Sequence, residues 1–170
     1  MSAPAVDWPE PAFAAKIAIR SGLAARIASL ERPRVFTNGV FDILHRGHVS
    51  YLAQARALGA SLIVGVNTDD SVRRLGKGRD RPINPLADRL AVLAALESVS
   101  LVVPFDEDTP LELVLECRPD VIVKGGDYTV RTTVGAAEVI AWGGRFEAIP
   151  YVSERSTSGL LERMRRRPLL

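Results

Sequence analysis

The sequence predicts an α/β fold: a Rossmann-like, doubly wound, five-stranded parallel sheet with helices on both faces and strand order 3-2-1-4-5. Three observations carry that expectation. Short apolar runs at 34–37, 62–66, 101–103, 121–123 and 145–149 alternate with helix-period segments, with no internal repeat. Such alternation is resolved by right-handed crossovers between parallel strands. The run Leu62-Ile63-Val64-Gly65-Val66 lacks polar alternation, as a strand covered on both faces should. Helix start and stop residues fall between these runs: Gly59 as a C-terminal stop, then Asn84-Pro85 and Thr109-Pro110 as cap-plus-proline starts.

In chain order, residues 1–11 carry three prolines and two acids and read as a loosely docked tail. Residues 12–30 have amphipathic helix spacing with a weak point at Ser21-Gly22, and Pro33 ends the segment. Residues 1–32 are therefore expected to form a tail and helix that precede the main domain, at 33–167. The first strand at 34–37 leads into a polar turn and a helix from Gly47 or His48 to Leu58. After the second strand, residues 68–83 are polar and basic and read as a loop with a helical turn at its start. Helices are expected at 86–97, from Pro110 to about Cys117, at 133–142, and after Ser156-Thr157-Ser158 into an arginine-rich end.

Composition narrows the classes of function. The chain of 170 residues is 47% hydrophobic and 25% charged, a globular rather than a disordered balance. A formal charge of +2 gives little electrostatic drive toward nucleic acid, and the basic loop has no interleaved aromatic platform. No apolar run could span a membrane, and no signal-peptide pattern opens the chain. A cytoplasmic protein without a nucleic-acid or membrane partner is expected. The single cysteine, Cys117, lies in an apolar helical stretch and reads as a buried, inert thiol.

The chemistry concentrates in one turn. Both histidines of the chain, His45 and His48, flank Gly47 where a strand gives way to a helix. Helical geometry puts residues three apart on one face, and the free amides of a helix N-terminus attract anions. The pair suits phosphate better than metal, because two ligands have no sequence-adjacent third. Asn38, Gly39, Phe41 and Asp42 precede it; Asn-Gly is also ordinary turn chemistry, and Phe41 is equally at home in a core. Two further groups should converge on the same crevice, because open parallel sheets bind ligands beyond the strand carboxyl ends where strand order reverses. Lys124-Gly125-Gly126-Asp127 follows the fourth strand, and the loop carrying Arg73 and Lys77 follows the second. Gly76-Lys77-Gly78 is not a P-loop, and no Gly-x-Gly-x-x-Gly follows the first strand, which excludes the usual dinucleotide fingerprint. Ser156-Thr157-Ser158 reads as a helix cap and as a second anion site.

These pieces resemble the HxGH nucleotidyltransferase superfamily of cytidylyltransferases and adenylyltransferases. The residues that carry the resemblance are Gly39-Val40-Phe41-Asp42, His45-Arg46-Gly47-His48 and Ser156-Thr157-Ser158. Arg81-Pro82-Ile83-Asn84-Pro85, Phe105-Asp106-Glu107-Asp108-Thr109-Pro110 and Val123-Lys124-Gly125-Gly126-Asp127-Tyr128 narrow it to the heptose 1-phosphate adenylyltransferases. Two departures, Val40 where cysteine is frequent and Ser158 where threonine is, keep the required chemistry. The resemblance implies transfer of AMP from ATP, as its Mg²⁺ complex, to a sugar 1-phosphate. It implies His45, His48 and Lys77 as catalytic groups. Asn38, Gly39, Phe41, Gly47, Lys124, Gly125, Asp127, Ser156, Thr157 and Ser158 would face the nucleotide; Asp42, Arg73 and Arg89 would face the sugar phosphate. A homo-oligomer is expected, without a resident metal and without the kinase domain that many relatives carry on the same chain. A cytidylyltransferase acting on a polyol phosphate and a catalytically silent nucleotide-binding subunit are the alternatives.

Overall fold

The computed structural model of the chain describes residues 9–76 and 81–150. Five parallel strands form one sheet: β1 (Arg34–Gly39), β2 (Ser61–Asn67), β3 (Leu101–Phe105), β4 (Val121–Gly125) and β5 (Arg145–Ile149). Their order is β3-β2-β1-β4-β5, the predicted one. β2 is buried along its whole length, as its uninterrupted apolar run requires. β5 lies at the edge and exposes Arg145, charge that suits an unpaired sheet edge.

Six α-helices cover the two faces: α1 (Leu23–Ala28), α2 (Arg46–Arg56), α3 (Asp69–Arg74), α4 (Leu86–Ala94), α5 (Leu111–Cys117) and α6 (Ala136–Ala141). Alternate strand residues feed two cores. Val35, Leu62, Val64, Val102, Val121 and Val123 pack with Leu52 of α2 and Leu90 and Leu93 of α4. Phe36, Ile63, Leu101, Val103 and Ile122 pack with Leu23, Ile27, Leu113, Val114 and Val139 from α1, α5 and α6. Cys117 sits in the second core, where burial pushes its thiol up to about 12, and it is inert as expected.

The N-terminal segment departs from the single helix expected at 12–30. Ala12–Lys16 forms a 3-10 turn. Ile17 then bridges to Val102 in parallel, and Ala18 donates its N–H to Val102 O at 2.9 Å. The free edge of β3 captures backbone that helix periodicity would have kept in a helix. Gly22 at φ 83 finally breaks the segment and starts α1. Two expected caps also differ. Neither Asn84 nor Thr109 caps a helix; Pro85 and Pro110 occupy those positions without a side-chain cap. Asn84 meets Asp42 instead: its backbone N–H donates to the buried carboxylate and its side-chain amide to the Asp42 backbone carbonyl. The loop at 68–83 contains a defined helix, α3. Thr68 caps it, with Asp69 and Asp70 in its first turn and Arg73 and Arg74 in its last, an arrangement matched to the helix dipole.

Gly59 is not the C′ stop its position suggested: α2 ends at Arg56 with Ala57 as its C-cap, and Gly59, two residues further on and without a positive φ, is required by packing. A Cβ there would lie 2.4 Å from Pro33 O and 2.8 Å from Val35 Cγ2. The α2–β2 turn therefore lies directly on the start of β1. Gly59→Ala is expected to destabilise the protein by about 1–3 kcal/mol, the usual range for overpacking, measured as a lower urea midpoint; an unchanged midpoint would show that the turn can move away.

Candidate active site

The crevice forms where β1 and β4 part. Their register holds only at Val35↔Val121 and Phe36↔Ile122, although both strands run on to Gly39 and Gly125. This is also where strand order reverses, so the gap opens at the switch point of the sheet. Lys124 reaches across it from β4. Its Nζ donates to Asn38 O at 3.0 Å and Asn38 Oδ1 at 2.6 Å, and lies 5.8 Å from the ring centroid of Tyr128. Lys124 therefore meets the carboxyl end of β1, the strand that leads into the histidine turn. Gly126, at φ 84, turns the chain after β4 and donates its N–H to Ile149 O; Asp127 next to it is exposed.

α2 begins at this gap. His45 is its N-cap residue, extended at φ −142 and ψ 171, and its Nδ1 accepts the Gly47 N–H at 3.1 Å. One of the free amides of the helix end is thus held by an imidazole, leaving Nε2 of His45 outside that cap. His48 lies on the first turn with its ring stacked on His45, centroids 4.0 Å apart and planes 26° apart. Phe41 meets the other side of His48 edge-on at 5.6 Å. This packing half-buries His48, and Nδ1 is a buried atom with no hydrogen-bond partner among the described residues. Desolvation, then the neighbouring His45, pulls the His48 pKa down to about 4, so the ring is neutral at pH 7.

Phe41 carries the turn. It is buried and holds φ 49, a left-handed conformation unfavourable for a bulky residue. Its ring lies over Gly39, where a Cβ would stand only 3.1 Å away. Gly39 and Phe41 are thereby explained by packing that shapes the wall behind His48. A cleft of about 480 Å³ opens beside the turn, with Phe41, Ile43, Leu44, Asp88 and Val92 among its walls.

Asp42 and Arg89 belong to a buried polar network next to the turn. Asp42 Oδ1 accepts the backbone N–H groups of Ile83 and Asn84, both at 2.9 Å, and Oδ2 lies 2.8 Å from Arg81 Nε in an ion pair. Arg89, with a fully buried side chain, donates to Val40 O at 2.7 Å, Asn67 O at 2.8 Å, Asn84 O at 3.1 Å and Asp69 Oδ1 at 2.6 Å. One guanidinium thus fastens the ends of β1 and β2 to α3 and α4. Arg73 sits on the exposed side of α3, paired with Asp70. Lys77, Ser156, Thr157 and Ser158 lie outside the described residues.

Sequence reasoning passed over several of these groups. Arg81 and Asn84 belong to a motif noticed only as a resemblance, and Asn84 has the spacing of a helix cap. Tyr51 has no local signal at all: it reads as one more half-buried helix residue. In the structure its hydroxyl lies 2.7 Å from Thr37 Oγ1 and donates to Val123 O at 3.1 Å, spanning β1 and β4.

A parallel 3-2-1-4-5 sheet with a histidine-led helix after β1 and a lysine crossing from β4 at its reversal point has a candidate ligand site there, as doubly wound sheets do. The chain belongs to the cytidylyltransferase-like family, whose model matches residues 36–150. It is 61% identical over 155 residues to the D-beta-D-heptose 1-phosphate adenylyltransferase of Bordetella bronchiseptica, covering 90% of this chain and 96% of that one. It is also 55% identical over 134 residues to the bifunctional protein HldE of Alkalilimnicola ehrlichii, covering 79% of this chain but 28% of that longer protein. Among solved structures, the lipopolysaccharide core biosynthesis protein of Thermoplasma volcanium superposes with a TM-score of 0.59 at 31% identity, over 72% of this chain and 98% of that one. The pantoate-beta-alanine ligase of Francisella tularensis, at TM-score 0.58 and 14% identity over 84% of this chain and 69% of that one, shares the fold.

Proposed function

We propose that the chain transfers AMP from ATP to a heptose 1-phosphate, giving ADP-heptose and pyrophosphate. The observation that carries this reading is the helix α2 N-terminus, headed by stacked His45 and His48, opening at the β1–β4 gap that Lys124 crosses. Its high identity to a protein named for heptose 1-phosphate adenylyl transfer supports the choice of substrates.

In this mechanism an oxygen of the sugar phosphate attacks the α-phosphorus of ATP in line. The bond from the α-phosphorus to the bridging oxygen breaks, and pyrophosphate leaves with that oxygen. The attacking group is already anionic, so the site needs no covalent nucleophile and no general base. Its work is positioning and stabilisation of charge on the phosphoryl oxygens. His48 is the group assigned to the α-phosphate. A neutral imidazole pays least for an unpaired buried Nδ1 if that atom is a bare lone pair, which puts the N–H on Nε2. The polyanion then draws His48 toward its cationic form, opposing the depression set by burial. Lys124, already poised at Asn38, is assigned to the nucleotide together with Asn38, Gly47 and Gly125. Lys77 and Ser156-Thr157-Ser158 are assigned to the leaving pyrophosphate. The cleft lined by Phe41, Leu44 and Asp88 is assigned to the sugar. Asp42 and Arg89 act in this reading by fixing the turn, through the bonds described above.

Among the described residues no group of three or more His, Cys, Asp or Glu side chains could hold a metal ion. Mg²⁺ in this reading would be carried in by the triphosphate and would supply charge neutralisation on the phosphate oxygens. No helix among the described residues is long and apolar enough to cross a membrane.

A pyrophosphate-release screen of each nucleoside triphosphate against sugar and polyol phosphates tests the reading. ATP with a heptose 1-phosphate is expected to give the highest kcat/KM. Preference for CTP with glycerol 3-phosphate would replace it with the cytidylyltransferase alternative. Release with no pair would favour a nucleotide-binding subunit without catalysis.

A further inference from the structure

We infer that Tyr51 is a positioning residue for nucleotidyl transfer: its hydroxyl spans the parted strands β1 and β4 and fixes the histidine-bearing turn of α2 over the gap. The inference rests on the function proposed above for its catalytic readout, but its structural readout is independent of that function.

The hydrogen-bond chain has one direction. Tyr51 has a single hydroxyl proton, and it goes to Val123 O at 3.1 Å. With that proton on Val123 O, the buried Thr37 hydroxyl donates to the Tyr51 oxygen across the 2.7 Å contact, in which either oxygen can be the donor. Thr37 lies on β1 and Val123 on β4, each one residue beyond the last pair in register, Phe36↔Ile122. Past that point the two strands no longer hold one another, and the phenol stands between them. Tyr51 and His48 are three residues apart on α2, hence neighbours on one helix face. The bond that ties Tyr51 to both strands sets the height and rotation of the first turn of α2, and with it His45, His48 and the helix amides. Lys124 crosses the same gap to Asn38 one residue further along each strand. The phenol thus holds open, at a fixed width, the crevice that the lysine bridges.

Tyr51→Phe keeps the ring in the core and removes only the crossing atom. A displacement of 1 Å at reacting groups can cost about 10²-fold in rate. A drop in kcat of about ten-fold is expected, part of that range, with KM for ATP little changed and the thermal midpoint lowered by a few degrees at most. Thr37→Val should reproduce the kcat loss, Thr37→Ser should retain wild-type kcat, and Tyr51→Phe with Thr37→Val should lose no more than the larger single loss. Because the chain has only two histidines, their imidazole resonances report the turn directly. Both should shift in Tyr51→Phe and in Thr37→Val. Unchanged kcat with unmoved imidazole resonances overturns the inference. So does a pair of losses that simply add while stability falls and both KM values rise, the signature of a purely structural bond. If the wild type turns over no pair of substrates, the proposed function fails, and the imidazole spectra alone decide Tyr51.

Discussion

His48→Ala is expected to lower kcat for pyrophosphate release by at least about 10²–10³, the cost of removing one preorganised donor from a phosphoryl transition state. The fold should survive. His48 is half-buried on the first turn of α2, and its Nδ1 has no partner to orphan when the ring is removed. The loss should appear in kcat more than in KM for ATP, because charge on the α-phosphate oxygens grows on the way to the transition state. A variant with near-wild-type turnover would refute the role.

The same substitution has a second signature in the pH dependence of stability. The His48 pKa is about 4 in the folded protein and about 6.5 when unfolded. Between those values the unfolded chain takes up a proton that the folded protein refuses. Stability is therefore full above about pH 6.5 and falls as the pH drops toward 4. His48→Ala should remove that part of the acid slope, seen as urea midpoints that change less between pH 7 and pH 4 than those of the wild type. An identical slope in both proteins would mean that the folded ring titrates normally.

Arg89→Met is expected to have the largest effect on stability, about 3–5 kcal/mol, as when one partner of a buried ion pair is removed. The guanidinium is fully buried and donates to three backbone carbonyls and to Asp69. Methionine fills similar space but leaves Val40 O and Asn67 O, at the ends of β1 and β2, without this donor. Against a total stability of roughly 5–15 kcal/mol this is a large fraction, and the soluble yield should fall with it. Arg89→Lys should recover little, since one ammonium cannot span the planar fork. Urea unfolding of the three proteins checks this. A stable Arg89→Lys variant with weakened KM for the sugar phosphate alone would instead assign Arg89 to substrate contact.

The histidine turn was legible because its chemistry is local. Two imidazoles three residues apart around a glycine, after an apolar run, describe a helix N-terminus whatever lies around them. The expected strand order of the doubly wound class is the one observed, and it brings Lys124 of β4 to Asn38 at the end of β1. The N-terminal segment was misread because its periodicity reports one amphipathic face, while its fate was decided by the unpaired edge of β3 at Val102. Asn84 has the spacing of a helix cap, but its backbone N–H goes to the Asp42 carboxylate and its side-chain amide to the Asp42 carbonyl, contacts 42 residues away that local spacing does not report.

By itself, then, the chain determined what depends on near neighbours: the alternation of strands and helices, the histidine turn at the start of a helix, and the buried apolar setting of Cys117. Tertiary structure alone decided whatever depends on which distant groups share a dry space. It made Arg89 a clasp between strand ends, turned Asp42 toward backbone amides, depressed the pKa of His48 by packing it against Phe41 and His45, and placed the Tyr51 hydroxyl between two strands. Burial changes the free energy of a polar group by more than any local propensity does, and burial is a property of the assembled sheet.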